Sequence, residues 1–125
     1  MGAMVDVVCK SCNADWQCMR GCGLMHGSLQ AVADLFPEQT RRELIEEAGQ
    51  TEFPVFDFAY KLSYCPHCCS IESVPVIRMP ESYKAYIGPC PVCGQESKLI
   101  RDIARTKCPV CHETALEERE TGHWD

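Results

Sequence analysis

Four Cys-x-x-Cys pairs punctuate this 125-residue chain: Cys9–Cys12, Cys65–Cys68, Cys90–Cys93 and Cys108–Cys111. The last two are the same tetrapeptide, Cys-Pro-Val-Cys, written twice with 14 residues between the copies. A Cys-x-x-Cys turn aims two sulfurs at one point, which makes a poor disulfide framework and a good half of a tetrahedral thiolate site. The chain needs such a staple. Its large apolar side chains are scattered among 8 prolines, 8 glycines and many charges, too few to support a comfortable core. The total of 11 cysteines is odd, which also argues against a closed set of disulfides. Metal is the expected cross-link.

Around the repeated tetrapeptide the chain resembles the zinc-ribbon family, and "CPVCG" resembles a rubredoxin knuckle. The resemblance covers residues 88–113. It implies that Cys90, Cys93, Cys108 and Cys111 are structural ligands of one zinc ion, with the 14 intervening residues folded as a hairpin. Gly94, just after Cys93, suits the positive φ at the end of such a turn. Cys9, Cys12, Cys65 and Cys68 resemble a second ribbon if the 52 residues between Cys12 and Cys65 are an insertion. Sequential pairing of the knuckles, first with second and third with fourth, is the expectation. Interleaved pairing, as in cross-brace modules, is the alternative. Two zinc ions are expected, with iron as the other metal such a knuckle accepts.

The remaining pattern is mixed. Val5, Val7 and Val8 read as a short strand leading into Cys9. The glycine-rich "CMRGCGLMHG" reads as irregular. Ser28 suits the cap of a helix carrying Leu29, Val32, Ala33 and Phe36 at helical spacing. Pro37 ends that helix and opens a second one, with Leu44, Ile45 and Ala48 inward and Gly49 at its end. Glu38, Arg42 and Glu46 stand four apart on its wet side. Phe56, Phe58, Tyr60, Leu62 and Tyr64 then alternate with polar or small residues at period two, a half-buried strand that covers the helices. "SIESVPVIRM" is strand-like again, with Pro75 confining it to an edge or bulge. The expected fold class is therefore a small metal-stabilised α+β protein of two zinc-ribbon-like modules. Residues 1–80 form the N-terminal one, with its helical insertion at about 28–49 and its aromatic strand at about 53–64. Residues 81–116 form the C-terminal ribbon, and 117–125 a flexible acidic tail.

Competing chemistry sits on some of the same residues. Cys65-Pro66-His67-Cys68 matches the active-site motif of oxidising thioredoxin-like disulfide catalysts, in which a helix N-terminus activates the first cysteine. Here β-prone residues follow and Pro75 comes soon after, so the pair reads as a structural knuckle. Cys18, Cys22 and His26 are spaced for a third metal site, or for a thiol redox or zinc enzyme. Helical spacing there would have to run through Gly21 and Gly23. Cys69 reads as a spectator beside its knuckle.

No basic leader with a long apolar run opens the sequence, and no stretch approaches the roughly 20 apolar residues of a membrane span. A cytoplasmic protein with reduced thiols and no membrane partner is the expectation. The formal charge is −6, and each Zn(Cys)₄ centre would add a net −2, toward about −10. Such a surface repels phosphate backbones. The expected function is a non-enzymatic zinc protein that binds another protein as an adaptor. A nucleic-acid-binding ribbon using Arg101, Arg105 and Lys107 is the alternative, since many ribbons work that way.

Overall fold

The computed structural model describes residues 2–23, 27–49, 55–80 and 82–124. Antiparallel sheet dominates it. The strands are β1 (Gly2–Cys9), β2 (Asp15–Gly21), β3 (Asp57–Cys65), β4 (Ser70–Met79), β5 (Lys84–Ile87), β6 (Lys98–Leu99) and β7 (Leu116–Trp124). They form one seven-stranded sheet in the order β5-β4-β3-β2-β1-β7, with β6 set against β3. Helices α1 (Leu29–Ala33) and α2 (Glu38–Ala48) pack on the β3–β4–β5 part.

The helices form for local reasons. Ser28 accepts the N–H of Ala31 at 3.2 Å, as an N-cap side chain should, and Gly49 ends α2 with φ at 62°. Leu29, Val32, Ala33, Phe36 and Leu44 sink into one core with Phe58, Ile77 and Met79. Arg42 reaches back to Glu38 at 2.7 Å on the solvent side. Ile45, expected to face inward, is 45% exposed.

A second core lies further along the same strands. Val5, Val7, Cys9, Cys18, Leu62, Ile71, Cys108 and Leu116 pack together there. The period-two residues of β3 serve both: Phe58 lies among the helices and Leu62 in the second core. Pro75 lies inside β4, a strand with neighbours on both sides, yet its position obeys the rule for proline. The β5 ladder covers only Val76–Met79, so β4 is an edge at Pro75 itself. The chain leaves β5 at Gly88, whose N–H donates to the Pro75 carbonyl at 2.8 Å. A Cβ on Gly88 would stand 2.7 Å from the Pro75 ring, so the contact requires glycine.

Three expectations are corrected. The stretch read as irregular after Cys12 contains β2, which pairs with β1 along its whole length. Residues 97–107 are not a hairpin: β6 pairs with β3, and a 3₁₀ turn at Ile103–Arg105 follows, capped by Asp102. The acidic tail is β7, antiparallel to β1 from Cys9 opposite Leu116 to Gly2 opposite Trp124. Its alternating Glu, Arg and Thr disguise a strand because its side chains are mostly exposed and supply no apolar period. Backbone pairing does the work instead, helped by Trp124, whose Nε1 donates to the Ala3 carbonyl at 3.1 Å. The sheet-rich result fits the α+β label only loosely.

Candidate metal centres

All four knuckles share one local geometry. The N–H of the residue after the second cysteine closes each turn on the carbonyl of the first, at 2.9 Å in every case: Asn13 to Cys9, Cys69 to Cys65, Gly94 to Cys90 and His112 to Cys108. Each of these four closing residues has φ between 53° and 75°. Only one is glycine, so the other three accept a left-handed backbone that non-glycine residues adopt at a cost. Sequence reading identified Gly94 and missed Asn13, Cys69 and His112, although asparagine and histidine are both enriched at positive φ and only Cys69 carries no such signal. The first cysteine of each pair is buried, and the second is half-buried or exposed. Backbone N–H groups point at the inner sulfurs, as from Cys68 to Cys65 and from Val110 to Cys108, both at 3.4 Å.

The eight cysteines gather into two groups of four. Cys9 and Cys12 meet Cys108 and Cys111, while Cys65 and Cys68 meet Cys90 and Cys93, and within each group the sulfurs lie within 4.8 Å of one another. The pairing is thus nested, first knuckle with fourth and second with third. Neither the sequential expectation nor the interleaved alternative describes it. The two identical tetrapeptides belong to different centres, and the 14 residues between them are the crossing from one to the other. The physical reason lies in the sheet. β7 returns to β1 and brings Cys108–Cys111 beside the end of β1, where Cys9 sits. A ribbon-like arrangement of neighbouring knuckles does occur, one step earlier than expected, at residues 65–93, where β4 and β5 intervene.

The spacing fits a metal. Sulfur pairs across the knuckles include Cys9–Cys111 at 3.6 Å, Cys12–Cys108 at 3.8 Å, Cys65–Cys93 at 3.5 Å and Cys68–Cys90 at 3.9 Å. A tetrahedron with metal–sulfur bonds of about 2.3 Å has edges of about 3.8 Å, whereas a disulfide needs about 2.05 Å. Each group could hold one metal ion. The Cys12 backbone N–H lowers the Cys9 thiol to about 7, and the Cys68 N–H lowers Cys65 to about 7. One thiol of each centre is thereby drawn toward the thiolate that a metal requires.

No family model, curated protein or solved structure matches this chain. The two groups of paired Cys-x-x-Cys turns are consistent with zinc-ribbon-like knuckles, and the geometry of the centres carries the functional reading.

The other cysteines stand apart. Cys18 lies in β2 within the second core, its Sγ directed at the Ile71 carbonyl at 3.8 Å, and burial pushes its thiol up to about 11. Cys22 is exposed, His26 lies outside the described residues, and among the described residues Cys18 and Cys22 join no third group of ligands. Cys69 is exposed, closes its turn through its N–H, directs its Sγ at the Pro66 carbonyl at 3.7 Å and joins neither group of four. Cys69→Ser should therefore keep both metal ions and near-native stability. At the equivalent position of the other centre His112→Val should lower stability by about 1–2 kcal/mol, because a β-branched residue resists positive φ. Elemental analysis and urea unfolding of the two variants check this pair. Among the described residues no helix is long and apolar enough to cross a membrane.

Proposed function

We propose that this chain is a structural zinc protein that works as an adaptor for another protein. The observation that carries the reading is the closed ligand set. Each group supplies four sulfurs at tetrahedral spacing, which leaves no position for the water or substrate that a catalytic zinc must hold. Zinc suits four thiolates and has no redox chemistry of its own. Iron in the same cage would give a red, rubredoxin-like centre. Purified protein should be colourless and carry two zinc ions per chain by elemental analysis. One ion per chain, or a red protein, would contradict the assignment. For the partner, the metal-loaded protein should capture a protein from its native host that the Cys90→Ser variant does not.

The nucleic-acid reading has weaker support. Arg101, Arg105 and Lys107 lie on the crossing between the centres and are all solvent-accessible, but Arg105 faces Asp102 at 3.6 Å. Against a formal charge of −6, so few cations should give no binding to random DNA or RNA tighter than about 10⁻⁵ M at physiological salt. Fluorescence anisotropy across a salt series measures this. Tight binding with a steep salt slope, lost in the Arg101→Glu, Arg105→Glu double variant, would replace the adaptor reading.

A further inference from the structure

The sheet divides at one place, and the division leaves a cleft. β4 follows β3 along its entire length on one side. On the other side the neighbour changes partway. β2 pairs with β3 at a single ladder position, Gly21 opposite Tyr60, and β6 takes over at Ser63 and Tyr64. Between these two contacts stand Lys61 and Leu62, and the Leu62 carbonyl takes the N–H of Ile100 at 2.9 Å. Two segments diverging from a shared strand cannot close the gap between them. What remains is a cavity of about 440 Å³, within the size range of small-molecule sites.

The lining has two characters. Tyr60, Leu62, Ile100 and Ile103 give it an apolar wall, and the cations Arg20, Lys61 and Arg101 share it with two acids, Asp102 and Glu118. Both acids are already engaged. Glu118 is held by both terminal nitrogens of Arg20, and Asp102 accepts the Ala104 N–H at 3.1 Å while facing Arg105. Lys61 and Arg101 have no carboxylate partner within 4 Å among the described residues. In a chain of net charge −6, two uncommitted cations lining one partly apolar cleft form a local site for negative charge. Arg101 offers the planar fork that matches an oxyanion, and Lys61 adds a point charge.

We propose that this cleft binds a small oxyanion on an apolar body, a phosphate or carboxylate carried by an aromatic or branched aliphatic group. The oxyanion lies between Lys61 and Arg101, and the body lies along Leu62, Ile100 and Ile103. The site is separate from both metal centres, since none of the eight ligand cysteines lines it. It also stands or falls independently of the adaptor reading.

The test is a titration of the metal-loaded, full-length protein followed through its backbone amide spectrum. Phenyl phosphate and benzoate are the probes, with inorganic phosphate and phenol as controls lacking one half of the ligand. At least one probe should saturate with a Kd of about 1 mM or tighter, shifting amides at 59–62 and 100–103. Whichever of the two binds more tightly names the headgroup. Each control should bind at least about tenfold more weakly. Lys61→Glu and Arg101→Glu should each weaken the probe about tenfold or more while both variants keep two metal ions and the wild-type melting point. Absence of saturation by both probes, phenol binding as well as phenyl phosphate, or unchanged affinity in both variants would each overturn the proposal.

Discussion

Cys9→Ser and Cys111→Ser should each yield a protein with one metal ion, and the double variant should still hold one. Combining Cys9→Ser with Cys65→Ser should leave none. This follows from the nested pairing, in which Cys9 and Cys111 belong to one group of four sulfurs and Cys65 belongs to the other. Sequential pairing gives the opposite result: the first double variant would lose both ions and the second would keep one. Native mass spectrometry of the four variants decides it. The structural consequence should be large and regional. Binding of a structural zinc is worth about 10–16 kcal/mol in small zinc domains, comparable with the entire net stability of a domain at about 5–15 kcal/mol. Losing the ion at Cys9 should free β1 and β7, whose pairing that centre anchors, while β3, β4 and the helices keep the other ion and their own core. Amide exchange resolves the two halves.

Complete metal removal should unfold the chain, and the two centres should refill in order. The inner centre joins knuckles whose facing sulfurs are 22 to 28 residues apart, as between Cys68 and Cys90 or Cys65 and Cys93. The outer one joins knuckles 96 to 102 apart, as between Cys12 and Cys108 or Cys9 and Cys111. Loop-closure entropy grows with the logarithm of loop length, so the outer closure costs about 1.3 kcal/mol more from the unfolded chain. That is close to a tenfold difference in apparent affinity, in favour of the inner site. Once the inner centre and the β3–β4 pair exist, the outer loop is shorter in effect and its metal binds more tightly than it would alone. Stepwise addition of cobalt or cadmium to chelator-treated variants lacking one centre, read by the charge-transfer bands of the added metal, should show the Cys9→Ser protein binding more tightly than the Cys65→Ser protein. Equal affinities, or the reverse order, would contradict the entropic account.

Everything local at the centres was legible in the residues. Two cysteines three apart in a turn must face the same point, so all eight candidate ligands could be named before any fold existed. The capped helix at Ser28 and its successor ending at Gly49 were equally plain, because each depends on contacts within a few positions; the alternating strand into Cys65 was plain from Asp57 onward, with Phe56 outside it and 53–54 outside the described residues. Three things were not. The left-handed residues Asn13, Cys69 and His112 were missed because the closing hydrogen bond imposes their φ, and the enrichment of asparagine and histidine there is too weak to mark a turn by itself. β7 was hidden because a strand on a solvent-exposed edge carries no apolar period. The pairing of the knuckles was hidden because two identical tetrapeptides contain no information about which partner each will meet. That choice belongs to the sheet. β7 pairs with β1 through backbone groups common to all residues, and this return of the chain end carries Cys108 and Cys111 to Cys9 and Cys12. Residue chemistry determined which eight sulfurs could hold metal; only the long-range strand pairing decided which of them gather into one group of four.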